Sequence, residues 1–415
     1  MWRPLAASTA TFRSSRGYRL LVGLVWIGVA ATLVGLLLHH ARTLPVGPRG
    51  CNDSYVYLTS ATRFVSHPSH LYDAAQRQLT HSSAQRAFIY PPSALLPFLA
   101  LAPLAGGRSI HAAAIIWASI DLVALLTALI LVARRAGFDW LSVGIALLLI
   151  THTTPLRWEA DSGQVNGAVL LLLTLSAFRY PGRSSGVLMG LALALKPVAA
   201  LVLLIPLLRR RPMVSLIAAL TFIAVNLPFL PLVGWQHGEV YLTSVLPFLL
   251  GYVIHDPSNI SLPNVLQAWL GGGPLPRHGA FSEAVPHAAG ALLVLWLTRV
   301  AVAGVWLRAA LDQRIDHVTV FALSLATVPV LTATVWAHYF VYLLPLALML
   351  WRAPDLGVRL AAGAAVLWLL FQGNVAALWF SPILLWPAAT VMLTRRAGWR
   401  MPPLLGRGAV PRGVG

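Results

Sequence analysis

The sequence predicts an all-α polytopic membrane protein, and three observations carry that prediction. Hydrophobic residues make up 58% of the 415-residue chain and charged residues only 10%, whereas a soluble domain carries about 25% charged residues. Apolar runs of roughly 15 to 25 residues recur along the chain, long enough for helices that cross or enter a bilayer. Arginines gather in short clusters at the ends of these runs. The balance of 30 Lys+Arg against 12 Asp+Glu gives a formal charge of +18. In a soluble protein that charge would suggest nucleic-acid binding; here topology and anionic lipid headgroups account for it. The single cysteine, Cys51, excludes an internal disulfide.

Taken in order, Arg3, Arg13, Arg16 and Arg19 precede an apolar run that starts near Tyr18. The run is too long for a signal peptide and lacks a small-residue cleavage site around Leu37 to His40, so it reads as a retained first transmembrane helix with a cytoplasmic N-terminus. Apolar segments then fall at 18–40, 87–105, 109–133, 138–153, 163–178, 184–208, 213–233, 286–308, 317–334, 337–351, 356–372 and 378–394. They predict about twelve transmembrane or re-entrant helices in one domain over 1–394, with long polar stretches at 41–86 and 234–285. The Arg, Gly and Pro-rich end, 395–415, is expected to be a disordered cytoplasmic tail.

With the clusters Arg134/Arg135, Arg209 to Arg211, Arg308/Arg314, Arg352 and Arg395/Arg396/Arg400 on the cytoplasmic side, the chain threads so that both polar stretches, the 151–162 loop and the Trp336 to His338 corner lie outside. This threading requires 87–105 and 184–208 to enter and leave by the same face. Pro91, Pro92 and Pro97 in one, and Pro197 and Pro206 in the other, supply the breaks.

Carboxylates are scarce enough to consider singly. Asp139, Asp312, Asp316 and Asp355 flank helix ends, where capping or solvation is the ordinary role. Asp121 lies inside an apolar run, as a functional acid or a helix-packing acceptor. The outer group is Asp53, Asp73, Glu159, Asp161, Glu239, Asp256 and Glu283. Asp53 opens an amphipathic stretch after the first helix, with Tyr55, Tyr57 and Phe64 available for the headgroup belt. It fits a general base or an N-cap.

Glu159 and Asp161 with His152 do not have the spacing of a tight metal site. Gln164 and Asn166 enter an apolar helix, where their amides need partners from substrate or protein. Lys196, the only lysine in the chain, precedes Pro197 in mid-segment. It reads either as a point charge for a phosphate or as a side chain that snorkels to the interface. His338 sits at the outer end of a helix in Trp336-Ala337-His338-Tyr339-Phe340.

In order, these pieces resemble one family. Asp53 with Tyr57, Tyr90-Pro91-Pro92, Pro155 and Arg157 followed by Gly163-Gln164-Val165-Asn166, Gly190 with Lys196-Pro197, Asn259 with Ser261, and Trp336 with His338 are similar to the motifs of glycosyltransferase family 87. That family holds the actinobacterial GT-C fold, polyprenyl-phosphate-mannose-dependent mannosyltransferases. The resemblance spans nearly the whole chain. Two positions depart from it: Thr332-Ala333-Thr334-Val335 stands where Ser-Pro is expected, and His338-Tyr339 where a His-His pair is common.

The resemblance implies a GT-C fold in the plasma membrane, with its active site facing outward. The donor would be polyprenyl-phosphate-mannose and the acceptor a mannosylated phosphatidylinositol, extended through an α-1,2 linkage with inversion. Asp53 would be the base with His338 as partner or alternative, Arg157 and Lys196 would hold the donor phosphate, and Tyr57, Tyr90, Glu159, Gln164, Asn166, Asn259 and Trp336 would line the substrates. No cofactor or metal is expected, because a lipid phosphate carries no nucleotide diphosphate to neutralise. Arabinosyl transfer is the enzymatic alternative. A lipid-linked sugar transporter is the other class, and it predicts polar residues spread along a path through the bilayer.

Overall fold

The computed structural model describes residues 16–43, 53–73, 75, 88–106, 109–246, 252–254, 259–270, 281–283, 288–332, 334–370 and 378–397. Cys51, Asp256, Ala333 and the tail beyond 397 lie outside the described residues. The main helices are α1 (Arg16–Thr43), α2 (Asp53–Ser66), α3 (Ile110–Arg135), α4 (Trp140–Thr151), α5 (Thr154–Ser162), α6 (Asn166–Arg179), α7 (Arg183–Leu195) and α8 (Pro212–Asn226). They continue with α9 (Leu262–Leu270), α10 (Ala289–Leu311), α11 (His317–Leu331), α12 (Leu344–Trp351), α13 (Leu356–Trp368) and α14 (Phe380–Ala397). Strands β1 (Tyr252–Ile254) and β2 (Phe281–Glu283) form a small antiparallel ribbon with Tyr252 opposite Glu283.

The membrane reading holds. Among the described residues, Arg16–Arg42, Ile110–Arg135, Pro212–Val233 and Ala289–Leu311 are each long and apolar enough to cross a bilayer. Large apolar side chains stand exposed along α1, α8 and α10, including Ile27, Leu220 and Val300, as expected of faces turned to lipid. The remaining apolar helices are shorter, 10 to 17 residues, so the twelve expected segments are not twelve full-length spans.

Proline explains much of that difference. Segment 87–105 is short pieces, a 3-10 turn at Pro92–Leu95 and single helical turns at Leu96–Leu99 and Ala102–Ala105, because Pro91, Pro92, Pro97 and Pro103 each remove a donor. Segment 184–208 breaks as expected. α7 stops at Lys196, whose backbone is extended (φ −154°, ψ 108°), and a 3-10 helix runs from Pro197 to Leu203.

One expectation about the ends needs correction, and one arginine of the clusters has a packing role besides its charge. Arg395 belongs to α14 rather than to a loose tail, and it pairs with Asp355 at the start of α13. Arg209, expected as a topological charge, is 7% exposed and donates to the carbonyls of Ala310 (3.1 Å) and Ile315 (2.7 Å). It thereby satisfies orphan acceptors where α10 ends. The capping reading of the helix-end acids is borne out for Asp139, Asp316 and Asp355, which accept from the backbone N–H of Ser142, Thr319 and Val358 at 2.9, 3.1 and 3.0 Å.

Packing runs α3 against α6, α6 against α7, and α7 against α8. The last contact depends on Gly186 and Gly190, where a Cβ would lie 2.6 Å from the Val214 carbonyl oxygen and 2.5 Å from that of Ala218. Small residues four apart let the two backbones approach where no hydrophobic drive separates helix from lipid. The centre of the molecule is α11, with every residue from Val318 to Val330 buried, and the chain from Ala337 to Leu348, buried throughout. The short helix α5 packs against the 3-10 turn Ala337–Leu343, which brings two sequence-distant motifs together.

Candidate active site

Asp53 is the first residue of α2, and its position is set by a close approach. Gly163 ends α5 in the left-handed conformation (φ 58°), and a Cβ there would lie 2.6 Å from the Ser54 Cβ, so only glycine fits both the turn and the contact. The next residue, Gln164, is fixed by its backbone carbonyl, which accepts from the Trp117 indole at 2.9 Å. Its side-chain amide nitrogen donates to the Asp53 carboxylate.

Gln164 also faces the lysine. Lys196 Nζ donates to Gln164 Oε1 at 3.1 Å and to Asn166 Oδ1 at 2.8 Å. It lies 4.4 Å from the centre of the Tyr339 ring and 5.7 Å from that of Tyr90, within the range of a cation–π attraction. At 1% exposure, Lys196 does not snorkel. Its charge is held inside the protein by amide oxygens and aromatic faces, which such a burial requires.

Asn166 spreads the network further. Its Oδ1 also accepts from the Tyr342 hydroxyl at 2.8 Å, while its Nδ2 and backbone N–H donate to Glu159 at 2.7 and 3.1 Å. Burial pushes the Glu159 carboxyl well above the ordinary carboxylate range, and the adjacent Asp121 pushes the same way, while Lys196 and Asn166 act against both. Asp121 accepts from the backbone N–H of Gly167 (3.2 Å) and Ala168 (2.9 Å), so it caps the first turn of α6 from α3. Of its two readings, the packing acceptor is the one the geometry displays.

Asp53, Gln164, Lys196, Asn166 and Glu159 therefore form one hydrogen-bonded chain drawn from α2, α5, the start of α6 and the break after α7. Tyr342 and Tyr339, which sequence reasoning missed as site residues, join it from the Ala337–Leu343 turn. Tyr339 is the residue that departs from the family pattern beside His338. His338 lies on that same turn, 3% exposed, with its ring 5.1 Å from that of Tyr339. Trp336 is the cap of the turn.

The other expected positions lie around this network: Tyr90 turns its ring towards Lys196, and Tyr57 stacks on Tyr90. Tyr57 and Phe64 do not reach a headgroup belt; they are 1% and 6% exposed. Tyr57 is stacked between Phe98 (4.5 Å) and Tyr90 (5.1 Å), because the amphipathic α2 turns its aromatic face to the protein rather than to lipid. Tyr90 is tied through its carbonyl, which accepts from the Tyr72 hydroxyl at 2.7 Å. Asn259 is fully buried, and its Oδ1 accepts from Val335 N–H (2.9 Å) and Ser261 N–H (3.2 Å), which fixes the chain just ahead of Trp336. Arg157 sits on α5 two residues before Glu159, about 200° around the helix, and so faces away from the Lys196 network. Among the described residues no three His, Cys, Asp or Glu side chains gather as metal ligands.

The site thus sets the carboxylates of Asp53 and Glu159, one buried lysine and a band of tyrosines within a helical scaffold that bears long, apolar, membrane-capable helices. The sequence model of glycosyltransferase family 87 matches residues 88–335. A polyprenol-phosphate-mannose-dependent alpha-(1-2)-phosphatidylinositol pentamannoside mannosyltransferase of Mycolicibacterium smegmatis is 30% identical over 357 residues, 81% of this chain and 77% of the relative. Its namesake from Mycobacterium tuberculosis is 26% identical over 379 residues, 88% and 79% of the two chains. An alpha-(1->3)-arabinofuranosyltransferase of M. tuberculosis is 32% identical, but over 40% of this chain and 38% of its own. No solved structure matches. The chain belongs to glycosyltransferase family 87 and is a membrane glycosyltransferase.

Proposed function

We propose that this enzyme transfers mannose from polyprenyl-phosphate-mannose to a mannosylated phosphatidylinositol, forming an α-1,2 linkage with inversion at the outer face of the plasma membrane. The observation that carries this reading is the Asp53–Gln164–Lys196 bridge, which sets a carboxylate and a buried cation side by side. Mannosyl phosphate already has a leaving group, so the enzyme must take a proton from the acceptor and stabilise the departing phosphate.

Asp53 takes the proton of the acceptor hydroxyl as that oxygen bonds to C1 of mannose from the side opposite the phosphate. The bond from C1 to the phosphate oxygen breaks, and its electron pair leaves with the polyprenyl phosphate. Two of the three N–H bonds of Lys196 are committed to Gln164 and Asn166, and the third is available to a phosphate oxygen. His338 serves as partner to Asp53 in moving the proton.

The mannosyl relatives match about twice as much of the chain as the arabinosyl one does, which favours mannose. The gathering of polar groups in a single network, rather than along a path, favours transfer over transport. The test is to incubate the purified protein with polyprenyl-phosphate-mannose and a mannosylated phosphatidylinositol. A product one hexose heavier supports the reading, and no such product refutes it.

A further inference from the structure

Arg157 has no place in the chain of bonds that joins Asp53 to Glu159. Its side chain is half-buried, and its Nε is fully buried with no hydrogen-bond partner among the described residues. A desolvated guanidinium nitrogen left without an acceptor costs free energy that a bound anion removes.

Its surroundings say which anion. One helical turn after Arg157, Asp161 lies on the same face of α5, within electrostatic reach of His39 near the end of α1, and α5 packs against α1. Of the long helices, α1 is the one with the least of its length buried in the protein. There His40 is 1% exposed, and its Nε2 is likewise buried without a partner among the described residues. Lys196 lies on the other side of α5, against Gln164, Asn166 and two tyrosine rings.

We propose that the Arg157 face of α5, where it meets the end of α1, binds the phosphodiester of the acceptor lipid, an anion site separate from the donor-phosphate position at Lys196. The inference rests on the acceptor reading above. It gives the two phosphates of the reaction one cation each, on opposite faces of the helix that carries Glu159. An acceptor held by its headgroup phosphate beside a lipid-facing helix stays in the leaflet while its sugar reaches Asp53. The planar fork of arginine suits a phosphodiester oxygen pair better than an ammonium does.

The test compares Arg157→Gln with the unaltered enzyme in two ways. Binding of phosphatidylinositol, measured against diacylglycerol, which lacks the phosphodiester, in the same detergent, should weaken about tenfold, the loss of roughly one charge-assisted hydrogen bond. In transfer assays, KM for the mannosylated phosphatidylinositol should rise about as much while KM for polyprenyl-phosphate-mannose stays put. An alkyl mannoside, which has no phosphate, should be used equally well by both proteins. Arg157→Lys should restore part of the affinity, and Asp161→Asn, which removes the competing carboxylate, should lower the acceptor KM.

A rise in donor KM instead would place Arg157 at the donor phosphate and overturn the proposal. So would unchanged phosphatidylinositol binding, or equal losses for the alkyl mannoside. If Arg157→Gln fails to fold, Asp161→Asn decides alone, and an unchanged acceptor KM counts against the site. Should the unaltered enzyme transfer no mannose, the activity reading fails, and the binding comparison still tests the anion site.

Discussion

Lys196 reaches Asp53 through a single side chain: Gln164 accepts from the Lys196 ammonium at 3.1 Å with its amide oxygen and donates to the Asp53 carboxylate with its amide nitrogen. A carboxylate and a cation are thus held in fixed relation without forming a direct ion pair. Gln164→Leu keeps the apolar volume and removes the bridge. It should lower turnover at least about tenfold and cost about 1 to 3 kcal/mol of stability for the buried groups left unpaired. Steady-state transfer and thermal melting check both halves; full activity would show that the bridge is incidental.

His338 lies on the turn that supplies Tyr339 to Lys196 and Tyr342 to Asn166. If it works with Asp53 on one proton, His338→Ala and Asp53→Asn should each cause a large loss of turnover. Together they should do little more than the worse of the two, as for residues that act as a unit. Independent, multiplying losses in a double-mutant cycle would separate the two roles.

Lys196→Met removes the charge at similar length. The donor-phosphate reading predicts weaker donor binding or leaving-group stabilisation by about 1.5 to 3 kcal/mol, the range for a hydrogen bond to a charged group. Donor dependence of the rate measures this. Unchanged donor kinetics, with only a lower melting temperature, would reduce Lys196 to a structural cation.

Gly163→Ala tests how Asp53 is placed. The new methyl would meet Ser54 at 2.6 Å in a left-handed backbone, a strain of order 1 to 3 kcal/mol. It should lower the melting temperature and also turnover, because the displaced residue adjoins Asp53. Gly23, where a Cβ would meet nothing within 4 Å, is the control: Gly23→Ala should change neither.

Much of this was legible in the sequence, for identifiable reasons. Low charge and repeated apolar runs reveal a membrane fold whatever its packing, and Lys196-Pro197 marked a broken helix because proline removes a backbone donor. Gln164, Asn166 and Lys196 stand out as polar groups in apolar runs, Asp53 and Glu159 as members of a scarce outer set of carboxylates, and the fold joins the five. What the sequence could not display was direction. Tyr57 reads as an interfacial aromatic and is instead stacked in the core, since one amphipathic face serves lipid or protein equally well. Tyr339 and Tyr342 carry no signal of their own, as tyrosines in an apolar run. Arg157 and Glu159 look like neighbours in one motif, yet a helix sends them to opposite sides.

The central claim, that Asp53 is the base of a mannosyl transfer, is tested most directly by one rate: hexose transfer from polyprenyl-phosphate-mannose to mannosylated phosphatidylinositol by Asp53→Asn against the unaltered enzyme. The amide still fits the start of α2, so the variant should fold and melt normally. Removing the base should slow transfer at least about 100-fold. Transfer at the unaltered rate by the well-folded variant would contradict the account.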